Sequence, residues 1–331
     1  MKRASKFAIA AVVLIFMSAL IGVLVYKPKP PVIALPNPNG YDDFVEATKV
    51  FVGVSDWPPL DLDQLRDAVA QNTNALALVR NGLKKQCRVV IEYQEGSETN
   101  YLPRLAEFKG LAHAFVTEGK LAEKEGRPNE ATRSYLECVR YGEESVRGGL
   151  LIDKLVGVAC EAIGMEQLRQ LLPTLGPADL GKLQQGLAGL HRHPEPAESF
   201  IKQDRFWGRR RYGAFRSIMA HLAMAKSLRQ SELRFREKCD RSETAVRLMR
   251  TDVAVRLYHL EKGSYPAKLE ELVPQFLDSM PIDLFSERPL MYKPQTNSYL
   301  LYSVGPDRKD DGGLSYRRAG GGKGDFTSTE P

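Results

Sequence analysis

The chain has 331 residues, 43% hydrophobic and 27% charged, which is ordinary globular material, long enough for two domains, and excludes a wholly disordered polypeptide. The formal net charge of +6 is unevenly placed: residues 197–262 hold 16 Lys and Arg against 8 Asp and Glu, a net of +8. Such a stretch is a solvated helix face or a surface for anionic lipid, cell-wall polymer or an acidic partner. Cys87, Cys138, Cys160 and Cys239 lie far apart with no CxxC pair, which removes the footing for zinc-ribbon or thioredoxin chemistry.

The N-terminus carries Lys2, Arg3 and Lys6 and no acid, and Phe7 to Tyr26 follows without one charge. Twenty helical residues span about 30 Å, a bilayer core. The expectation is an uncleaved signal-anchor: a single-pass transmembrane helix in the cytoplasmic membrane, N-terminus inside, body extracytoplasmic. Nucleic acid is then no partner. Residues 27–40 contain five prolines and are expected to form an extended stalk.

From Tyr41 to about Leu190 the pattern is helical. Asp61 or Asp63 caps a helix with apolar residues at Leu62, Leu65, Val69, Leu76, Val79 and Leu83, interrupted by Asn72. Val89-Val90-Ile91 is a short strand or an extended link. A second helix places Leu102, Leu105, Phe108, Ala112, Phe115, Gly119 and Ala122 on one face, and residues 125–129 break it. Further helices are expected over 129–144, 149–172 and 179–190.

The second and third helices resemble a tetratricopeptide hairpin, with Gly119, Gly126, Ala131 and Tyr135 at that repeat's small and aromatic positions. Glu118 stands where that repeat has Leu, and no Pro closes the unit after Gly142. One repeat is visible, and a peptide groove needs several stacked units.

Residues 191–244 read as a basic helical connector. In Phe206-Trp207-Gly208-Arg209-Arg210-Arg211-Tyr212 the aromatics are expected to pack inward and the arginines to stay wet. Ala245, Met249, Val253, Leu257 and Leu260 then form a core-facing helical stripe, ended by Gly263. After Pro289, runs at 290–292 and 299–304 joined by Pro294-Gln295-Thr296-Asn297 predict a β-hairpin.

Taken in order, Gly263-Ser264-Tyr265-Pro266, Leu269 to Pro274, Asp283 after Pro281, and Tyr302-Ser303-Val304-Gly305-Pro306-Asp307 resemble the C-terminal domain of the major pseudopilin of type II secretion, over about residues 245–326, with residues 327–331 as a tail. The chain as a whole resembles a type of uncharacterised membrane-anchored protein frequent in planctomycete-like bacteria. The prepilin-peptidase site is missing: Lys6 precedes Phe7 and no Glu follows through Ala11. About 220 residues also separate the apolar run from the pseudopilin-like part, and Leu284-Phe285-Ser286 replaces the usual Pro-aromatic-Gly turn. The resemblance therefore implies a borrowed fold without the filament role. It also implies a calcium site, with Asp307, Asp325 and Asp310 or Asp311 as oxygen donors among Gly312, Gly313 and Gly320 to Gly322. An EF-hand is excluded, because Lys309 and Arg318 occupy ligand positions.

His191, His193 and Glu195 form the best metal-like cluster, but Pro194 and Pro196 flank it and no third ligand set is near. No GxSxG, HExxH or phosphate-binding glycine loop occurs. The sequence thus predicts an α+β chain: an N-terminal transmembrane helix, a helical middle domain, and a C-terminal long helix with a small antiparallel sheet. Its expected function is non-catalytic, a membrane-anchored envelope scaffold acting on a protein partner, with no small-molecule substrate and no cofactor beyond calcium. The alternative is an accessory component of a type II secretion or pilus-like system.

Overall fold

A computed structural model of the chain describes residues 12–18, 21–22, 26, 28–29, 33–54, 59–93, 101–190, 194–315 and 324–328. Much of the uncharged N-terminal run lies outside the described residues. Residues 12–18 and 21–22 of it are described, and they are helical. Among the described residues no helix is long and apolar enough to cross a membrane. This corrects the expected transmembrane helix, and with it the single-pass signal-anchor, the cytoplasmic-membrane location and the extracytoplasmic body. What the described residues form is a set of helices followed by a small antiparallel sheet.

The first helix, α1 (Gly40–Val50), opens the stretch read as helical from Tyr41. Asn39 caps it by accepting from the Tyr41 amide at 3.2 Å, and Asp42 and Asp43 sit in its positive first turn. α2 (Leu62–Gly82) opens with a capping box in which the Gln64 amide donates to Asp61 at 2.9 Å and the Asp61 amide to Gln64 at 3.0 Å. The two helices run antiparallel, and Gly82 lets the Phe44 ring approach the backbone: a Cβ there would lie 2.5 Å from the ring. Asn72, the polar interruption in the apolar stripe, is buried. Its side-chain amide donates to Val52 O and accepts from Val52 N, both at 3.0 Å, pinning the chain that leaves α1. Residues 89–91 are an extended link rather than a strand, held by the Val89 amide donating to Arg147 O.

α3 (Tyr101–Lys124), α4 (Pro128–Glu144) and α5 (Leu151–Leu171) pack antiparallel in succession. Gly119 receives the Tyr135 ring, while Gly142 and Gly164 bring α4 and α5 together at distances that leave no room for a side chain. Glu118, the departure from the repeat pattern, accepts from Arg80 and from Ser134; Arg80 also reaches Glu137 at 2.8 Å and lies over the Phe115 ring at 5.4 Å. One guanidinium therefore ties α2 to α3 and α4. α6 (Pro177–Ala188) packs on α4 and on the long element that follows.

That element, α7 (Ala197–Lys262), contains non-helical backbone at Gly213 (φ 80°, ψ 161°) and Met224 (φ −117°, ψ 15°). Glu198 pairs with Arg236 at 2.7 Å, Arg205 pairs with Glu232 at 2.5 Å, and the Phe200 and Phe235 rings meet edge to face. These pairs run in opposite directions, so α7 is a helical hairpin reversing through residues 213–224. Of the aromatics expected to pack inward, Phe206 meets Tyr93 and Trp207 donates to Glu92 O at 3.2 Å, but Tyr212 is exposed.

The C-terminal sheet has the order β1 (Met291–Pro294), β2 (Tyr299–Ser303), β3 (Phe326–Thr327), antiparallel throughout, with Met291 opposite Tyr302 and Ser303 opposite Phe326. It packs with Leu269 and Leu272 against Leu248, Ala254 and Val255 of α7.

Candidate functional site

An open groove of about 850 Å³ lies between α3, α5 and the returning limb of α7. Val116 from α3, and Leu155, Val158, Ala159, Ala162 and Ile163 from α5, make an apolar floor. Lys120, Arg169, Lys238 and Arg241 stand around it, with His113 and Glu166. Glu166 pairs with Arg169 at 2.6 Å, and Arg241 lies over the Phe326 ring at 5.1 Å, so the C-terminal sheet closes one side.

The third wall is fixed from beneath. Glu161 is fully buried, accepts from the Lys154 ammonium at 3.2 Å, and accepts from the Ser242 hydroxyl of α7. Burial alone would lower the Lys154 pKa; the neighbouring Glu161 carboxylate outweighs it and moves the ammonium above its ordinary range. Sequence reasoning missed the groove because its walls come from residues about 113, 160 and 240, and no local pattern joins them. α3 contributes one wall, and α5 and α7 the others.

The residues singled out for metal binding are placed as follows. Asp325 is buried and accepts from the amides of Gly313 at 2.6 Å and Asp311 at 3.4 Å, and burial raises its pKa. Asp310 accepts from the Tyr302 hydroxyl and the Gly312 amide, both at 2.8 Å, and Asp307 accepts from the Lys309 amide at 3.2 Å. Asp311 and Asp325 are thus brought together by a backbone contact, while Asp307, Asp310 and Asp325 accept from backbone amides of residues 309–313 and Asp310 also from the Tyr302 hydroxyl of β2. Among the described residues no group of three His, Cys, Asp or Glu could hold a metal; residues 316–323, with Gly320 to Gly322 of the expected calcium loop, lie outside the described residues. His191 and His193 also lie outside them, and Glu195 accepts from the Gly148 amide at 2.7 Å.

Asp283, which sequence motif alone had marked, is fully buried and fourfold satisfied. It accepts from the Phe285 amide at 3.0 Å, the Ser286 hydroxyl at 3.1 Å, the Ser303 hydroxyl at 2.7 Å and the Val304 amide at 3.1 Å. Its work is to staple the 281–289 loop to the end of β2.

All four cysteines are free thiols. Burial pushes Cys87 and Cys160 up to about 12 and Cys239 up to about 11, and Cys138 well above the usual thiol range. No protein-family model, no curated protein and no solved structure matches the chain.

Proposed function

We propose that this chain is a non-catalytic interaction module whose groove takes an acidic, amphipathic segment of a protein partner. The observation that carries this reading is the pairing of an apolar floor on α3 and α5 with the Lys120 and Lys238 ammoniums at its rim, where Arg169 is ion-paired with Glu166 and Arg241 with Glu237. An amphipathic helix or strand laid there would bury its apolar face and direct carboxylates at Lys120 and Lys238. Charge at the rim sets which segments enter and how fast; contact with the floor sets how long they stay.

The test uses a fluorescein-labelled peptide with leucines on one helical face and glutamates on the other, and a counterpart with lysine for each glutamate. The acidic peptide should raise anisotropy on mixing with the protein and the basic one should not. Ala162 is exposed at the groove, so Ala162→Glu leaves the fold intact and should remove binding. Equal binding of both peptides, or binding indifferent to Ala162→Glu, sinks the proposal.

A second reading, an accessory part of a type II secretion or pilus-like machine, draws on one observation: α7 is followed, after a connection over residues 263–290, by a three-stranded antiparallel sheet packed on it. Co-purification with a major pseudopilin would support it, and failure of the two to associate at micromolar concentration would remove it.

A further inference from the structure

The reversal of α7 produces a surface the groove does not explain. Tyr212, Phe215, Ile218, Met219, Leu222 and Met224 are all exposed around the turn, Leu222 at 72%. Single exposed apolar side chains are normal on a protein surface, but six within thirteen residues at the end of a projecting hairpin are not. Over the same reversal the charge is of one sign. From Arg205 to Ser231 there are seven Lys and Arg and no Asp or Glu, and Arg209, Arg216, Lys226 and Arg229 are exposed.

We propose that the tip of the α7 hairpin inserts into an anionic lipid surface, its apolar side chains at the acyl boundary and its arginines and lysines at the phosphates. This contact lies on a bilayer and does not span it.

Three physical points select this occupant. A second copy of the chain at the tip would bring the exposed Arg209, Arg216, Lys226 and Arg229 against their own counterparts, with no carboxylate between 205 and 231 to offset them. A protein partner would need a pit shaped to a convex tip, whereas a fluid interface closes around it without a preformed shape. The long aliphatic stems of Arg and Lys let cations flank an apolar apex and reach the phosphates above it. The hairpin is also rigidly mounted. Phe200, Ile201 and Phe235 are buried at its base, with ion pairs at Glu198–Arg236 and Arg205–Glu232, so insertion at the tip needs no unfolding elsewhere.

The full chain is labelled with an environment-sensitive fluorophore at Leu222→Cys in a Cys239→Ser background, the other three thiols being buried. A second preparation carries the label at Leu260→Cys, exposed near the far end of α7 and about 50 Å from Met224 along the helix. On vesicles of phosphatidylcholine with phosphatidylglycerol, emission at 222 should rise and shift to the blue and be quenched by brominated lipid, while emission at 260 stays unchanged. Phosphatidylcholine alone should give no response. Arg209→Gln, Arg216→Gln and Arg229→Gln together should weaken the response by about a hundredfold, each cation being worth about fivefold near an anionic surface. The inference is overturned by silence at 222 on anionic vesicles, by equal responses at 222 and 260, or by an equal response on neutral lipid. It is also overturned by a protein-concentration-dependent blue shift at 222 without lipid, which would assign the tip to a second copy.

Discussion

The Tyr135 ring occupies the space above Gly119: a Cβ built on Gly119 would sit 2.1 Å from the ring, far inside van der Waals contact. Tyr135 is itself fully buried and donates its hydroxyl to Glu123, so the ring cannot swing away. Gly119→Ala should therefore destabilise the fold by about 2–3 kcal/mol through overpacking, despite the better helix propensity of alanine. Urea denaturation monitored at 222 nm measures it; Gly119→Ala paired with Tyr135→Leu should recover part of the loss, because the leucine frees the space.

Asp283→Ala should cost about 3–4 kcal/mol, since the Ser303 hydroxyl and two backbone amides lose a charged acceptor in a buried setting. Asp283→Asn should cost less. Thermal melting of the two variants checks the order, and near-equal melting temperatures would mean that the loop is held by its backbone contacts instead.

The carboxyl of Asp204 lies half-buried at the base of the α7 hairpin. Burial raises its pKa, against the lowering effect of the Leu151 amide, and Glu232 adds to the rise. Because the folded value lies above the unfolded value of 3.8, the contribution of this group is full below that value and is lost as pH rises through the folded pKa. Asp204→Asn keeps an acceptor for Leu151 and removes the charge. It should melt higher than the parent chain at neutral pH, and the two curves should converge in acid below the unfolded value. A lower melting point at neutral pH would show that the carboxylate is held by partners stronger than burial is costly.

With thiols at about 11 or above, almost no thiolate exists at neutral pH. Ellman's reagent should react with none of Cys87, Cys138 and Cys160 in the native chain, slowly with half-buried Cys239, and with all four in urea. Rapid native reaction at more than one thiol would mean that the helical core opens locally.

How much of this was legible in the sequence depends on how local each signal is. Gly119, Gly126, Ala131 and Tyr135 lie within seventeen residues and encode the close approach of α3 and α4, and Pro294 to Asn297 encodes the β1–β2 turn. α1 is short, and what stabilises it is burial of Tyr41, Phe44 and Ala47 against later helices, with Phe44 packed on Gly82, 38 residues away. The reversal of α7 leaves no mark on helical periodicity, because the segments on both sides are helical; the non-helical backbone of Gly213, at positive φ, and of Met224 carries the turn. β3 is two residues long and forms because Ser303 and Tyr302 offer it a register. The N-terminal run was read as a membrane span from composition alone, and among the described residues no helix is long and apolar enough to cross a membrane. The groove was out of reach, since it belongs to no segment.

The returning limb of α7 serves two cores at once. Val246, Met249 and Val253 are buried among the helices, and Leu248, Ala254 and Val255 are buried against the sheet. The seam between the two halves thus runs lengthwise through a single helix instead of across a linker. No cut between them spares both: a chain ended before residue 245 loses a wall of the first core, and a piece begun there carries a bare apolar flank into water. A lineage could shuffle such a C-terminal part into a new protein only by bringing along a receiving surface for that flank, so the two halves are expected to be inherited, and to melt, as one.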